Sequence, residues 1–287
     1  MPTATLERTE RFALQALNSG RTFDIALAPP LPLAATGEAA KECPILIVLD
    51  SSLTFGTAME RSSLYSAMGL LESAVIVGVG YPGSLLASIK ARTVDFTPPT
   101  PTGVHAEMQP MIGSEFGGAD AFLSFLLDEL APEVRRRVPE ASASRIILHG
   151  FSLGGLFSAY ALLARPEAFE TVSIIAPSLW WNDFAILKEL DAFKDRLADT
   201  GATPRVLIGV GAREQDVPQS APPELELKDL QETVRKARMV DAAREFAETL
   251  SGVLPDVEFA LFDREDHTGA LTAGTGRAVS FALSRRA

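Results

Sequence analysis

A serine framed by glycines is the residue best suited to covalent chemistry in this chain. Residues 145–166 read RIILHGFSLGGLFSAYALLARP, so an apolar run meets Gly150-Phe151-Ser152-Leu153-Gly154 and a helical pattern follows at once. A G-x-S-x-G sequence between a strand and a helix is typical of a nucleophile elbow, in which a tight turn exposes the serine hydroxyl above the sheet. With 21 glycines in the chain the motif alone is weak evidence, and its surroundings must decide.

The serine hydroxyl needs a general base, and the chain offers three histidines. His267 follows the last apolar run, 257–263, and precedes the final helical pattern, which is where the base stands in the chain order serine, acid, histidine. We predict His267 as the base. His149 lies three residues before Ser152, and strand geometry predicts a buried imidazole that points away from it. His105 lies in a long loop, and we expect it at the surface.

The third member of such a site orients the imidazole through Nδ1 and stabilises the imidazolium ion. Glu214 and Asp216 both follow the strand pattern at 205–212, so both are candidates, and Glu214 is preferred. The oxyanion hole needs two N–H donors aimed at the developing charge. We predict one from Leu153, directly after the nucleophile, and the other from the main chain at Ser51 or its neighbour.

These residues depend on a framework of alternating strand and helix patterns. Near-continuous apolar runs of this length suit strands that are covered on both faces, as in a parallel sheet. The pattern predicts one α/β domain over 1–287, a mostly parallel doubly wound sheet with helices on both faces. We expect strands at 23–28 (an edge strand), 44–50, 73–81, 145–151, 171–178, 205–212 and 257–263. We expect helices at about 57–70, 117–138, 153–164, 182–197, 224–251 and 270–285.

One segment is too long for a plain connection. Residues 82–118 are rich in Pro, Gly and Thr and follow the carboxyl end of a predicted strand. Open α/β sheets bind ligands at that edge, so we expect a long loop on the active-site side.

Composition excludes several classes of function. The net charge of −11 disfavours nucleic-acid binding, and no apolar run is long enough to span a bilayer. Charged residues interrupt the first twenty positions where a secretory signal needs an apolar run, so we expect a cytoplasmic protein. The single cysteine, Cys43, rules out an internal disulfide. We predict neither a metal nor a cofactor: the G-x-G-x-x-G at 78–83 contains Pro82, which lacks a phosphate-binding N–H, and no acidic residue follows about 20 positions later.

The chain resembles the bacterial putative-esterase family of α/β-hydrolases, especially the enterobactin-type siderophore esterases. The resemblance implies that Ser152 is the nucleophile, His267 the base and Glu214 the acid of a Gly-x-x-Glu motif, with Arg92 near the active site. The sequence departs from the family at Ser51, where a glycine is frequent. The similar segments are PILIVLD (44–50), VIVGVGYP (75–82), RTVDFTP (92–98), 117–132, GFSLGGLFSAYAL (150–162), APSLWW (176–181) and Asp266-His267.

Three further residues are candidates for contact with substrate. Trp180 and Trp181 follow a predicted strand end and could form an aromatic wall for an acyl or aryl group, or pack under a helix. Arg92 could bind an anionic substrate through its planar guanidinium, or pair with Asp95 to fix its loop.

Together these features predict a serine carboxylic-ester hydrolase that acts on a small-molecule ester, siderophore-like or aryl. A thioesterase or acyltransferase would use the same three residues. A non-catalytic binding protein of the same fold is the third possibility.

Overall fold

The structure is a computed structural model that describes residues 8–31, 42–101, 112–216 and 227–284. His105 lies outside the described residues. No described helix is long and apolar enough to cross a membrane. The expected cytoplasmic location stays a prediction.

The described residues form an eight-stranded sheet in the order β1-β2-β4-β3-β5-β6-β7-β8. The six strands from β4 to β8 across the sheet run parallel, and β1 and β2 join them antiparallel. The predicted mostly parallel α/β-hydrolase sheet is therefore confirmed. The strands are β1 Glu10–Gln15, β2 Thr22–Ala28, β3 Cys43–Leu49, β4 Val75–Gly80, β5 Ala141–Phe151, β6 Thr171–Ile175, β7 Arg205–Gly211 and β8 Val257–Phe262.

Side chains that alternate along each central strand enter two different cores. In β3 every residue is buried: Ile45 and Ile47 pack in the larger core, and Leu46 and Val48 pack in the core on the opposite face. Both faces of the sheet are covered, which explains why the central strands are apolar at every position rather than at every second one.

Helices α1 and α9 cover one face of the sheet, and α2, α5, α6 and α8 cover mainly the opposite one. Apolar residues of α1 and α9 pack in the smaller cores. Residues of α2, α5, α6 and α8 pack mainly in the larger one. The helices are α1 Ser51–Ala67, α2 Leu85–Phe96, α3 Ala119–Ser124, α4 Ala131–Arg137, α5 Leu153–Ala164, α6 Leu190–Thr200, α7 Leu227–Ala237, α8 Met239–Ser251 and α9 His267–Leu283, with a π-helical turn at Phe125–Leu130 between α3 and α4.

Three expectations about the elements were wrong in detail. The segment 82–118 is not a plain loop, because it contains α2. The predicted edge strand 23–28 is second in the sheet, since β1, whose residues are partly buried or exposed, pairs outside it. The predicted helix 224–251 is divided into α7 and α8 at Arg238, which has a left-handed φ of 45°.

Candidate active site

Ser152 lies on a sharp turn between β5 and α5, with φ 60° and ψ −118°. This conformation is unfavourable for a residue with a side chain, and the surrounding structure must hold it in place. The Ser152 N–H donates to the carbonyl of Ile175 (3.0 Å), and the Ser152 carbonyl accepts from the N–H groups of Leu156 (2.9 Å) and Ser178 (3.1 Å). The turn is therefore tied to the end of β6 as well as to its own helix.

Two glycines make this turn possible. A Cβ atom at Gly150 would collide with the backbone of Gly154, and one at Gly155 would lie 2.8 Å from the carbonyl oxygen of Ile175. Any other residue at either position would push α5 away from the sheet, which explains Gly150 and Gly155; a Cβ atom at Gly154 would meet other atoms only at 3.5–3.6 Å.

A hydrogen-bonded series connects Ser152, His267 and Glu214. The Ser152 Oγ is 3.1 Å from His267 Nε2, and His267 Nδ1 is 2.6 Å from Glu214 Oε2. The other carboxylate oxygen of Glu214 accepts from the N–H of Gly211 at 2.7 Å. The imidazole is half-exposed and the Glu214 side chain is buried, so the carboxylate is held rigidly behind a histidine that faces the solvent.

The first turn of α9 positions His267. His267 is the first residue of that helix, and the N-cap residue Asp266 accepts hydrogen bonds from the Gly269 N–H and the Thr268 hydroxyl. These bonds lower the pKa of the Asp266 carboxyl. Asp266 is thus engaged in capping.

The structure brings one of the two acid candidates to the histidine. Glu214 contacts His267, whereas Asp216 is exposed and its carboxylate lies 3.7 Å from Arg213 Nε. The short turn after β7, closed by the Asp216 N–H bond to the Arg213 carbonyl, directs these side chains differently.

His149 lies beneath the elbow and is fully buried, as predicted. Its Nε2 is 3.1 Å from Thr275 Oγ1, and that hydroxyl donates its own proton to the carbonyl of Leu271. His149 must therefore donate at Nε2, which leaves Nδ1 unprotonated. Burial lowers the pKa of this imidazole to about 4, so it stays neutral near pH 7.

The predicted oxyanion residues lie at two adjacent helix starts. Leu153 is the first residue of α5, and Ser51 is the first residue of α1. The parallel register pairs Val48 of β3 with His149 of β5, so the two strands that lead into these helices are neighbours. N–H groups in the first turn of a helix have no intrahelical acceptor, so both helix starts offer donors at this edge.

The Ser51 side chain points toward β4. A Cβ atom at Gly78 would lie 2.5 Å from Ser51 Oγ, and one at Gly80 would lie 3.3 Å from Ser51 Cβ. These two glycines of β4 therefore make room for the first turn of α1, which accounts for the G-x-G sequence without a nucleotide.

Arg92 pairs with a different aspartate from the one expected. Its Nε and Nη2 donate to the two carboxylate oxygens of Asp50 at 2.7 and 2.8 Å. Asp95 instead lies 3.1 Å from Arg21 Nε, and burial raises the pKa of Asp95 to about 6 against the opposing effect of Arg21. The expected Arg92–Asp95 pair is wrong because these residues, three apart on α2, face two different partners.

The two tryptophans have different surroundings. Trp180 is partly exposed and lines the cleft that contains Ser152 and His267. Trp181 is buried, donates from Nε1 to Thr100 Oγ1 at 3.0 Å, and packs edge-on against Phe116. Only Trp180 is placed as an aromatic wall of this cleft, while Trp181 supports the segment behind it.

The cleft has a volume of about 960 Å³. The sequence reasoning missed several of its lining residues, and those on α7 and α8 belong to helices without any recognisable motif. One group follows Trp180 on a strained segment, in which Asn182, Asp183 and Phe184 all have positive φ. The newly identified lining residues are Ser178, Asp183, Phe184, Arg213, Thr233, Val234, Lys236, Ala237 and Met239. Among the described residues no cluster of His, Cys, Asp and Glu could hold a metal ion.

Comparisons with known proteins agree with this architecture. The model of the family described as "Putative esterase" matches residues 15–251. The chain is 30% identical to the siderophore triacetylfusarinine C esterase of Aspergillus fumigatus, over 96% of this chain and 93% of the relative. It is 32% identical to the ferri-bacillibactin esterase BesA of Bacillus subtilis, over 97% of this chain and 91% of the relative.

A solved structure is also similar over nearly the whole chain. The siderophore hydrolase EstB from Aspergillus nidulans superposes with a TM-score of 0.83 at 28% identity, covering 99% of this chain and 98% of that one. The chain therefore belongs to the "Putative esterase" family, and it is a serine esterase with the α/β-hydrolase fold.

Proposed function

We propose that the chain hydrolyses carboxylic esters through a triad of Ser152, His267 and Glu214. The observation that carries the proposal is the hydrogen-bonded series from Oγ to Nε2 and from Nδ1 to the buried carboxylate, at 3.1 and 2.6 Å. This is the geometry in which an imidazole can take the serine proton while a carboxylate stabilises the resulting cation.

The reaction proceeds in two halves. Ser152 Oγ attacks the ester carbonyl carbon as His267 Nε2 takes the hydroxyl proton, and a tetrahedral intermediate forms. The carbon–oxygen bond to the leaving alcohol then breaks, and His267 returns the proton to that oxygen. Water next gives a proton to His267 and attacks the acyl-enzyme, which releases the carboxylic acid and restores the Ser152 hydroxyl.

The developing oxyanion needs donors on the side opposite to His267. We assign the Leu153 N–H and the main-chain N–H at Ser51 to this role, because the starts of α5 and α1 lie side by side at the strand ends. Two such donors each contribute substantially, since removal of one costs about 10²–10³-fold in turnover.

We further propose that the substrate is a siderophore-like ester. Two relatives at 30–32% identity over more than nine-tenths of this chain are siderophore esterases by name. A cleft of about 960 Å³ would accommodate a bulky ester of that kind. Its wall of Trp180, Phe184 and Met239 suits apolar or aryl parts of such a molecule.

Replacement of the nucleophile tests the triad. Ser152→Ala should reduce p-nitrophenyl ester hydrolysis by about 10⁴–10⁶-fold and abolish labelling by a fluorophosphonate. The matched control is Ser158→Ala, which removes a buried hydroxyl on the same helix that has no hydrogen-bond partner among the described residues. Labelling of Ser152→Ala would contradict the proposal.

A panel of substrates tests the proposal that the substrate is a siderophore-like ester. We expect triacetylfusarinine C or ferri-bacillibactin, the siderophores in the relatives' names, to show a higher kcat/KM than simple p-nitrophenyl esters. Faster transfer of the acyl group to an added alcohol or thiol than to water would instead indicate an acyltransferase.

A further inference from the structure

Asp50 has a strained backbone directly before α1. Its φ of 54° and ψ of 53° are left-handed, although it is not a glycine, and its side chain is buried. Such a conformation is unfavourable for a residue with a Cβ atom, so neighbouring contacts must maintain it. The carboxylate does not cap α1, as an aspartate before a helix commonly does.

The carboxylate is instead fully engaged by Arg92. Both of its oxygens accept from the guanidinium, at 2.7 and 2.8 Å, in a two-point contact that fixes orientation as well as distance. The guanidinium carbon lies 5.1 Å from the centre of the Phe96 ring, which limits its movement. The pair therefore connects α2 rigidly to the end of β3.

This pair lies beside the nucleophile elbow. A Cβ atom at Gly154 would be 3.5 Å from Asp50 Oδ2, so the carboxylate rests against the first turn of α5. The next residue after Asp50 is Ser51, the first residue of α1, and β3 is paired with the elbow strand β5 up to Val48 and His149. The direction of the Ser51 N–H thus depends on the backbone angles of Asp50.

We propose that Asp50 and Arg92 are positioning residues for the oxyanion hole. The Arg92 guanidinium holds the left-handed turn at Asp50, and this turn directs the main-chain N–H at Ser51 toward the oxygen of the tetrahedral intermediate. Arg92 also neutralises a carboxylate that would otherwise oppose the developing negative charge nearby. The inference rests on the proposed function of Ser152.

Charge neutralisation predicts an asymmetry between the two residues. Arg92→Met leaves a buried, unpaired carboxylate next to the reacting oxygen, whereas Asp50→Asn leaves a neutral amide. We expect kcat to fall about 10²-fold in Arg92→Met and about tenfold in Asp50→Asn. The double variant should recover part of the loss of Arg92→Met, because residues in direct contact are not additive.

The decisive measurement is the affinity for a transition-state analogue. A trifluoromethyl ketone forms a serine adduct with an oxyanion, and the corresponding methyl ketone serves as the ground-state control. In each variant the inhibition constant of the trifluoromethyl ketone should rise by the same factor as kcat/KM falls, and that of the methyl ketone should stay within about twofold. Arg92→Lys, which keeps the charge but loses the two-point contact, should be intermediate.

The chain contains a matched control pair. Asp95 lies three residues after Arg92 on α2 and pairs with Arg21 at 3.1 Å. Asp95→Asn should change the melting temperature without changing the ratio of the two inhibition constants. If Arg92→Met does not fold, Arg92→Lys carries the test alone.

Three results would overturn the inference. One is a lower melting temperature with unchanged affinity for the trifluoromethyl ketone, which indicates a purely structural pair. Another is a loss confined to p-nitrophenyl hemisuccinate and absent for p-nitrophenyl acetate, which indicates binding of an anionic substrate by Arg92. The third is normal turnover in the Asp50 and Arg92 variants while Ser152→Ala is inactive. If Ser152→Ala is itself active, the proposed function is refuted instead.

Discussion

The carboxyl edge of the sheet and the layer just beneath it contain the same residue types with different surroundings. His267 at the edge is half-exposed and has a partner at each ring nitrogen. His149, three residues before Ser152, is buried and donates only to Thr275, and burial lowers its pKa to about 4. The histidine at the start of α9 thus has partners at both ring nitrogens, whereas the one inside β5 is kept neutral by burial.

The tryptophan pair shows the same contrast at the end of β6. Trp180 lines the cleft, and Trp181 is buried with its indole N–H donated to Thr100. Of these two adjacent residues, Trp180 therefore contacts the cleft and Trp181 supports its wall. The comparison teaches that residue type alone does not predict a role at this edge, and that the partner of each polar atom does.

The largest expected effect is on kcat, and it distinguishes Glu214 from Asp216 as the acid that orients His267. In Glu214→Gln the amide would donate to His267 Nδ1, so that the proton moves to Nε2, which could then no longer accept the Ser152 proton. We expect kcat to fall about 10³–10⁴-fold. Asp216→Asn should stay within about threefold, because that exposed carboxylate does not contact the histidine. Steady-state kinetics of both variants on one p-nitrophenyl ester provide the measurement, and equal losses would remove the assignment of Glu214.

The tryptophans should separate stability from activity. Trp181→Ala leaves a large cavity, so we expect a loss of about 3–5 kcal/mol in the free energy of unfolding. Trp180→Ala should keep its stability within about 1 kcal/mol and lower kcat/KM for aryl esters about tenfold. Urea denaturation measures the stability of both variants, and kinetics on matched aryl and alkyl esters measure their activity. The assigned roles are contradicted if Trp180→Ala loses more stability than Trp181→Ala.

The smallest effect concerns the buried histidine. The folded-state pKa of His149, about 4, is below the ordinary value of 6.5. The unfolded chain therefore binds the proton first as the pH falls, and this stability, present above pH 6.5, is lost toward pH 4. Between pH 7 and pH 4.5 the wild type should lose about 2 kcal/mol more than His149→Gln.

Urea denaturation at the two pH values measures this difference. The carboxyl of Asp95 titrates in the same range with the opposite sign, because its pKa is raised to about 6, but it is present in both proteins and cancels in the comparison. If both proteins lose the same stability between pH 7 and pH 4.5, protonation of His149 does not cause the acid sensitivity.

Much of the architecture could be predicted from local pattern. Strands covered on both faces have long apolar runs, so β3 to β7 were recognisable without a structure, and the edge strand β8 still has a mainly apolar sequence. The elbow was recognisable from Gly150, Ser152 and Gly154 between an apolar run and a helical pattern, and a Cβ atom at Gly150 would indeed strike backbone. Strand β1 was missed because half of its six residues are polar and none is fully buried. Helix α2 was missed because proline, glycine and threonine around it resemble a loop.

The order of residues along the chain was enough to identify Ser152 and His267 as the candidates, and to limit the acid to two residues of one turn. It could not choose the partner of Arg92, separate Trp180 from Trp181, or find the cleft residues of α7 and α8. Motifs reflect constraints between neighbours in sequence, such as a tight turn. Ion pairs and cleft walls join residues far apart in the chain, as Asp50 and Arg92 show, and only packing in three dimensions brings them together.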